Sequence, residues 1–260
     1  MFYLCPKKQA MLREDTVFGP IRSRRLGSSL GINLLPTKGK ICNFDCIYCE
    51  CGWNKDGRDD SVLPTAAQVR SALEDKLTAL LLEGTPVDSI TFSGDGEPTL
   101  NPDFPAIVED TLRLRDCFFP QAKVSVLSNA TMVHKDDVFE ALRKVDNPVM
   151  KIDAPDDRYA ALINRPAPGY SVARTVEALK RFRGDFILQT MFLKAPGFDS
   201  GAPEVLNAWM DIVRTLRPRQ IQVYTIDRPT PMEGIGRYSV DEMRSLAAPL
   251  LSEGFDIQFR

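Results

Sequence analysis

Histidine is almost missing from this chain: His134 is the one imidazole in 260 residues. A single imidazole cannot supply the paired ligands of a mixed cysteine–histidine zinc site, so metal chemistry here would fall to other donors. Long apolar runs are missing too. The N-terminal MFYLCPKKQAMLRED lacks the apolar core of a signal peptide, and no stretch approaches a membrane span. The expectation is a cytoplasmic protein with no membrane association, whose thiols stay reduced. Neither sign of charge is in excess: 33 Lys and Arg stand against 35 Asp and Glu, a net charge of -2. That balance gives no global pull toward nucleic acid or an anionic membrane, and it leaves room for a local basic patch. One compact basic run lies near the start, IRSRRLG, with Arg22, Arg24 and Arg25. Internal repeats and low-complexity segments are also lacking. A composition of 43% hydrophobic and 26% charged residues suits an ordinary globular fold with a well-buried core.

What is present, and concentrated, is cysteine. Four of the six cysteines, Cys42, Cys46, Cys49 and Cys51, fall in ICNFDCIYCECGW. In a reducing compartment such a cluster reads as metal ligands or catalytic thiols, not as a disulfide framework. Zinc sites usually draw on two ligand pairs separated by a longer insert, and no distant second pair exists here. A four-thiolate zinc site using Cys51 would force Cys49 and Cys51 onto one ion. An iron–sulfur cluster is the competing reading: three close thiolates hold three irons of a 4Fe-4S cluster and leave one open, as a catalytic metal site requires. Cys5, Cys51 and Cys117 show no spacing for a second cluster. Cys117, beside Phe118 and Phe119, reads as a buried apolar residue.

Around this loop, strand-like and helix-like segments alternate. Strands are expected at 30–36, 89–94, 123–129, 147–153, 185–193 and 220–226, with a last one at 255–259. Helices are expected at 66–83, from Asn101-Pro102 onward, and at 135–144, 171–182 and 203–216. A final helix is capped by Ser239 with Glu242. Thr65 with Gln68 forms a capping box ahead of an apolar stripe of Val69, Leu73, Leu77, Leu80 and Leu81. Six strand–helix units argue for a parallel sheet with helices outside. Periodicity alone leaves two architectures, a doubly wound sheet or a curled barrel. Either one gathers its working groups where strands end. The cysteine loop, SGDGEPT, LSNAT, KIDAPD and YTIDRP each follow a strand, so they should converge on one rim.

Several polar residues in those segments are candidates. Gly94 and Gly96 allow close backbone approach, while Asp95 and Glu97 offer acceptors to a cationic group. No Gly-Lys-Ser/Thr follows, so the segment is not a phosphate loop. Lys151 and Asp153 alternate along a strand and share one face. They read equally as cofactor contacts or as an inward ion pair. Gln189, inside an apolar strand, needs partners. Arg228 could grip a substrate anion or anchor a loop.

CNFDCIYC resembles the CxxxCxφC signature of the radical S-adenosylmethionine (SAM) superfamily, φ being aromatic. FGPIRSRRLGSSLGINLLP, FSGDGEPTLNPDF, KIDAPD and TIDRP together resemble the group within it that includes the tRNA wyosine synthetases. The resemblance implies a curled parallel (β/α)6 partial TIM barrel, with a core at 29–235, an N-terminal extension at 1–28 and a C-terminal helix and strand at 236–260. It implies that Cys42, Cys46 and Cys49 hold a 4Fe-4S cluster, with Tyr48 beside the open iron. SAM would chelate that iron and, on one-electron reduction, give methionine and a 5′-deoxyadenosyl radical that takes a hydrogen atom from the substrate. Gly94, Asp95, Gly96, Glu97, Ser128, Asn129, Lys151, Asp153 and Gln189 would line the SAM site. Arg24, Arg25 and Arg228 would face the substrate. The implied partners are a reductant such as flavodoxin or ferredoxin and a substrate that is tRNA, another nucleotide-bearing molecule, or a protein. Activation of a partner protein by a glycyl radical, and a non-catalytic iron–sulfur or zinc protein, are the alternatives.

Overall fold

The computed structural model describes residues 15–23, 27–37, 39–56 and 61–260. Its main sheet has eight strands. An antiparallel hairpin of β1 (Val17–Ser23) and β2 (Gly27–Ile32) begins it. Parallel strands then follow in chain order: β3 (Ser89–Phe92), β4 (Lys123–Ser128), β5 (Asn147–Lys151) and β6 (Ile187–Met191). A second sheet combines β7 (Leu193–Ala195) and β8 (Phe198–Asp199) with β10 (Gly236–Arg237). The main sheet continues with β9 (Gln220–Tyr224) and ends at β11 (Ile257–Phe259). The helices are α1 (Ala66–Leu82), α2 (Phe104–Phe118), α3 (Asp136–Lys144), α4 (Asp157–Ile163), α5 (Val172–Leu179), α6 (Pro203–Leu216), α7 (Val240–Leu246) and α8 (Ala248–Ser252).

Spatial order decides between the two architectures. A doubly wound sheet reverses its strand order at a switch point. Here β2, β3, β4, β5, β6 and β9 are neighbours in chain order without a reversal. Right-handed crossovers then place every connecting helix on the same face, and the other face becomes the inside of a curl. The side chains obey this division. Met150, Leu188 and Ile221 share one register row and are fully or almost fully buried. The adjacent row, Lys151, Gln189 and Gln222, is polar and points the opposite way, because side chains alternate along a strand. Thr190 takes the helix side, bonding to the Ile152 carbonyl (2.8 Å) and accepting from the Trp209 indole on α6 (3.1 Å).

Both capping boxes form as the sequence implies, Thr65–Gln68 on α1 and Ser239–Glu242 on α7. Other boundaries move for local reasons. The first parallel strand spans 27–32, not 30–36. At Asn33 the chain leaves the sheet, and the side-chain oxygen of Asn33 accepts from Leu35 N (3.1 Å) and Asp95 N (3.2 Å). α2 starts at Phe104 rather than at Asn101-Pro102. Asn101 is spent on a turn, accepting from Asp103 N at 2.8 Å, and Pro105 is the first-turn proline. α4, β1 and the second sheet are additions to the expected elements. Cys117, expected to be buried, is exposed on the last turn of α2.

Candidate active site

The cysteine loop is fixed to the barrel mouth by backbone. Ile41 pairs with Gly96 as a one-residue parallel bridge: Ile41 N donates to Asp95 O (3.1 Å) and Glu97 N donates to Ile41 O (3.0 Å). Only glycine permits this contact. Gly96 has φ +139°, and a Cβ there would lie 1.9 Å from the Ile41 carbonyl oxygen. The loop is held from within as well. Asn54 Nδ2 donates to the carbonyls of Cys42 (3.1 Å) and Phe44 (2.9 Å), and buried Lys40 donates to Gly52 O at 2.5 Å. Its far side rests on the end of α4, where Asp45 N donates to Asn164 O (2.9 Å) and Ile47 N to Ile163 O (3.0 Å).

Cys42, Cys46, Cys49 and Cys51 are all half-buried in this mouth. Two of the sulfurs receive N–H donors. Phe44 N (3.4 Å) and Asn129 Nδ2 (3.7 Å) point at Cys42, and Asn164 Nδ2 (3.5 Å) points at Cys46. Donors aimed at sulfur suit thiolates bound to metal and tune iron–sulfur potentials. Burial pushes the Cys42 thiol up and the Cys46 thiol up to about 11, so loading metal must expel protons from this pair. Cys49 is held down instead, by a hydrogen bond from Cys51 and then by the Lys40 charge. Among the described residues no three His, Cys, Asp or Glu side chains gather closely enough for one metal ion. Three cysteine sulfurs in one loop, with N–H groups aimed at two of them, are a donor set of the kind that a 4Fe-4S cluster uses.

Behind the thiols lies a buried polar network. Tyr48 donates its hydroxyl to Asp153, and Asn164 Nδ2 reaches both Asp153 Oδ2 (2.7 Å) and the Tyr48 hydroxyl (2.9 Å). Asp153 Oδ1 accepts from Met191 N at 2.8 Å. Lys151 Nζ is 3.8 Å from Asp153, donates to the Tyr224 hydroxyl (2.6 Å) and sits 4.7 Å from the Tyr48 ring centre. Burial works against the Lys151 charge, but Asp153, Tyr224 and Cys46 outweigh it and hold the ammonium above its ordinary range. Burial also raises Tyr48, and it takes Tyr224 to about 12, so both phenols stay protonated.

The remaining expected residues divide. Glu97 is engaged from several sides: Thr99 N (3.1 Å) and Ser128 Oγ (2.8 Å) donate to one oxygen, and Asn129 N (2.7 Å) donates to the other. It therefore ties the end of β3 to the end of β4, and burial raises its carboxyl above the usual range. Asn129 Nδ2 is turned to Asn43 at 2.7 Å as well as to Cys42. Asp95 is fully buried against Asn33. Gln189 donates to Gln222 at 3.2 Å inside the curl. Arg228 is exposed and forms an ion pair with Glu50 at 2.6 Å, clipping the loop after β9 to the cysteine loop. Arg24 and Arg25 lie outside the described residues. Three residues with central places, Asn33, Lys40 and Asn164, carry no motif in the sequence. Lys40 alone gave a local signal, two positions before Cys42.

The family model of the Radical SAM superfamily matches residues 37–193, from the cysteine loop to β7. With more than half of the sequence matched, the chain belongs to the radical SAM superfamily and is an enzyme of that class. A UPF0026 protein of Helicobacter pylori (strain J99) is 31% identical over 245 residues, covering 92% of this chain and 74% of that protein. GTPase Obg of Brachyspira hyodysenteriae is 29% identical over 243 residues; the chain spans only 34% of its length. Among solved structures, a radical SAM methyltransferase from Sphaerobacter thermophilus superposes with a TM-score of 0.67 at 15% identity, covering 89% of this chain and 65% of that one. TYW1 with a lysine-pyruvate adduct bound gives 0.61 at 13% identity, covering 89% and 76%. At those identities the likeness is one of fold, and it is the curled parallel barrel. Among the described residues no helix is long and apolar enough to cross a membrane.

Proposed function

We propose that the chain cleaves SAM reductively at a 4Fe-4S cluster held by Cys42, Cys46 and Cys49 and uses the product radical to abstract a hydrogen atom from a nucleotide-bearing substrate. The observation that carries the first part is the set of N–H groups of Phe44, Asn129 and Asn164 aimed at Cys42 and Cys46. Cluster and SAM together supply one-electron cleavage of the sulfonium and the 5′-deoxyadenosyl radical. The chain's own residues do the rest. Ile41, Gly96, Asn54 and Lys40 hold the loop in place. The Gly94 carbonyl and the Asp95 carboxylate offer acceptors to an ammonium group at the end of β3. Tyr48 and Lys151, locked by Asp153 and Asn164, form a wall that keeps its protons and excludes water.

The substrate class rests on the rim. Arg165 stacks on Trp53 with its guanidinium 4.7 Å from the ring centre, and Glu50, three residues earlier on the same end of the cysteine loop, pairs with Arg228. An aromatic face with a cation beside it is the chemistry that takes a nucleic-acid base and its phosphate. A reductant of the flavodoxin or ferredoxin class would supply the electron. The test has two arms. Anaerobically reconstituted protein with dithionite should form 5′-deoxyadenosine from SAM, and Cys46→Ala should not. Protein that takes up no iron on reconstitution, or takes it up and leaves SAM intact, would remove the SAM-cleavage reading. Modified nucleosides in tRNA should differ between cells with and without the gene. An unchanged profile would move the substrate to a peptide or protein.

A further inference from the structure

We propose that Cys51 is an exchangeable fourth ligand: without SAM its sulfur binds the iron that Cys42, Cys46 and Cys49 leave open, and SAM displaces it. This rests on the cluster assignment above. Cys51 stands two residues beyond Cys49, half-buried in the same mouth. Its Sγ lies 3.8 Å from Gly94 O and 3.8 Å from Asp95 Oδ1. The thiol therefore faces the segment after β3, on the ligand side of the loop, and not bulk solvent. Cys117, exposed on α2, shows what an unengaged thiol in this chain looks like.

The chemistry follows from the donor count. Three thiolates on four irons leave one open position, and cluster iron prefers thiolate sulfur to water. A thiol tethered beside the cluster has an effective concentration in the millimolar range or above. Ligation forms one iron–sulfur bond, releases the Cys51 proton to solvent and transfers no electron. When SAM arrives, that bond breaks and the sulfur regains a proton. Its S–H then returns to the Gly94 and Asp95 acceptors or yields them to the SAM ammonium. Lys40, in electrostatic reach of Cys42, Cys49 and Cys51, offsets the added negative charge of a fourth thiolate. Because Cys51 and SAM claim one iron, the apparent SAM affinity is reduced by the fraction of chains with that iron open.

The full chain is reconstituted with 57Fe and sulfide as wild type, Cys51→Ala and Cys46→Ala. Iron and sulfide content come first. A wild type that holds no four-iron cluster defeats the cluster assignment itself, before the role of Cys51 is asked. With the cluster present, Mössbauer spectra of SAM-free wild type should show all irons in thiolate surroundings, and added SAM should set one iron apart. A distinct iron already present without SAM overturns the proposal, and this measurement needs no variant. Under mild ferricyanide oxidation, wild type should keep its fourth iron, whereas Cys51→Ala loses it and gains the EPR signal of a three-iron cluster. SAM should bind Cys51→Ala about tenfold more tightly, an ordinary size for coupling between ligands. Equal iron loss and equal affinity in the two proteins would refute it.

Discussion

At the scale of single residues, the site depends on groups that the cysteine motif does not name. Gly96 allows Ile41 to dock, and a methyl group there meets a carbonyl oxygen in a conformation disfavoured for side chains. Gly96→Ala should cost at least ~1–3 kcal/mol in strain and lower iron loading in parallel. Thermal unfolding together with iron content would show it, and unchanged loading would separate the bridge from the metal site. Lys40 is a cation buried among sulfurs with its ammonium anchored on Gly52. Lys40→Met should shift the cluster potential to more negative values, read by EPR-monitored redox titration, while Lys40→Arg should shift it less. The cysteines, Tyr48, Lys151 and Asp153 were legible because they combine unusual residue types with strand-end positions. Asn164 was not legible. Its contacts with Cys46, Tyr48 and Asp153 arise because α4 folds back under a loop 118 residues earlier, and no local pattern encodes that return.

At the scale of elements, α1, α3 and α6 lie within a residue of their expected bounds, α5 ends three residues early at Leu179, and the short α4 escaped. α4 has seven residues, and only the Asp156 side chain, accepting from Tyr159 N at 2.8 Å, marks its start. β1 was missed because Gly19 and Pro20 interrupt it, and its pairing shifts between Phe18 and Ile21. Junctions between elements rest on side chains whose partners are remote in sequence. Asp146, just before β5, accepts from Val124 N (2.9 Å), Arg115 (2.8 Å) and Lys123 (3.1 Å), joining β4, α2 and β5. Burial opposes its charge, but these donors outweigh burial and hold the carboxyl below 3.8. A carboxylate with a depressed folded value adds stability above its unfolded value and loses it as pH falls through the folded one. Asp146→Asn should therefore cost ~1–2 kcal/mol at neutral pH, the half-exposed setting keeping it modest. In urea titrations of the iron-free chain, the gap to wild type should narrow as pH falls through the ordinary carboxylate range and close below the depressed folded value. A gap independent of pH would assign the loss to packing.

At the scale of the molecule, the choice between a doubly wound sheet and a curl was not legible from periodicity, because both use the same strand–helix alternation. Motif resemblance favoured the curl, and the unreversed strand order supplies its physical basis. A mouth assembled from the ends of six strands should respond to ligand as one unit. Saturating SAM at about 100 times its Kd should stabilise cluster-loaded protein by about 2.7 kcal/mol through mass action. In calorimetry, Cys46→Ala should show no such gain; an equal gain there would mean that SAM binds without the iron.

The curl also stops short of closing, so β1 and β11 each keep one unpaired side among the described residues. An unfinished barrel ordinarily invites strands from other chains. Here one border carries Pro20, which has no N–H to offer, beside a shift in register, and the other border is three residues long. Neither can template a neighbour well. Among the described residues, then, the open flank offers another copy little template for adding a strand.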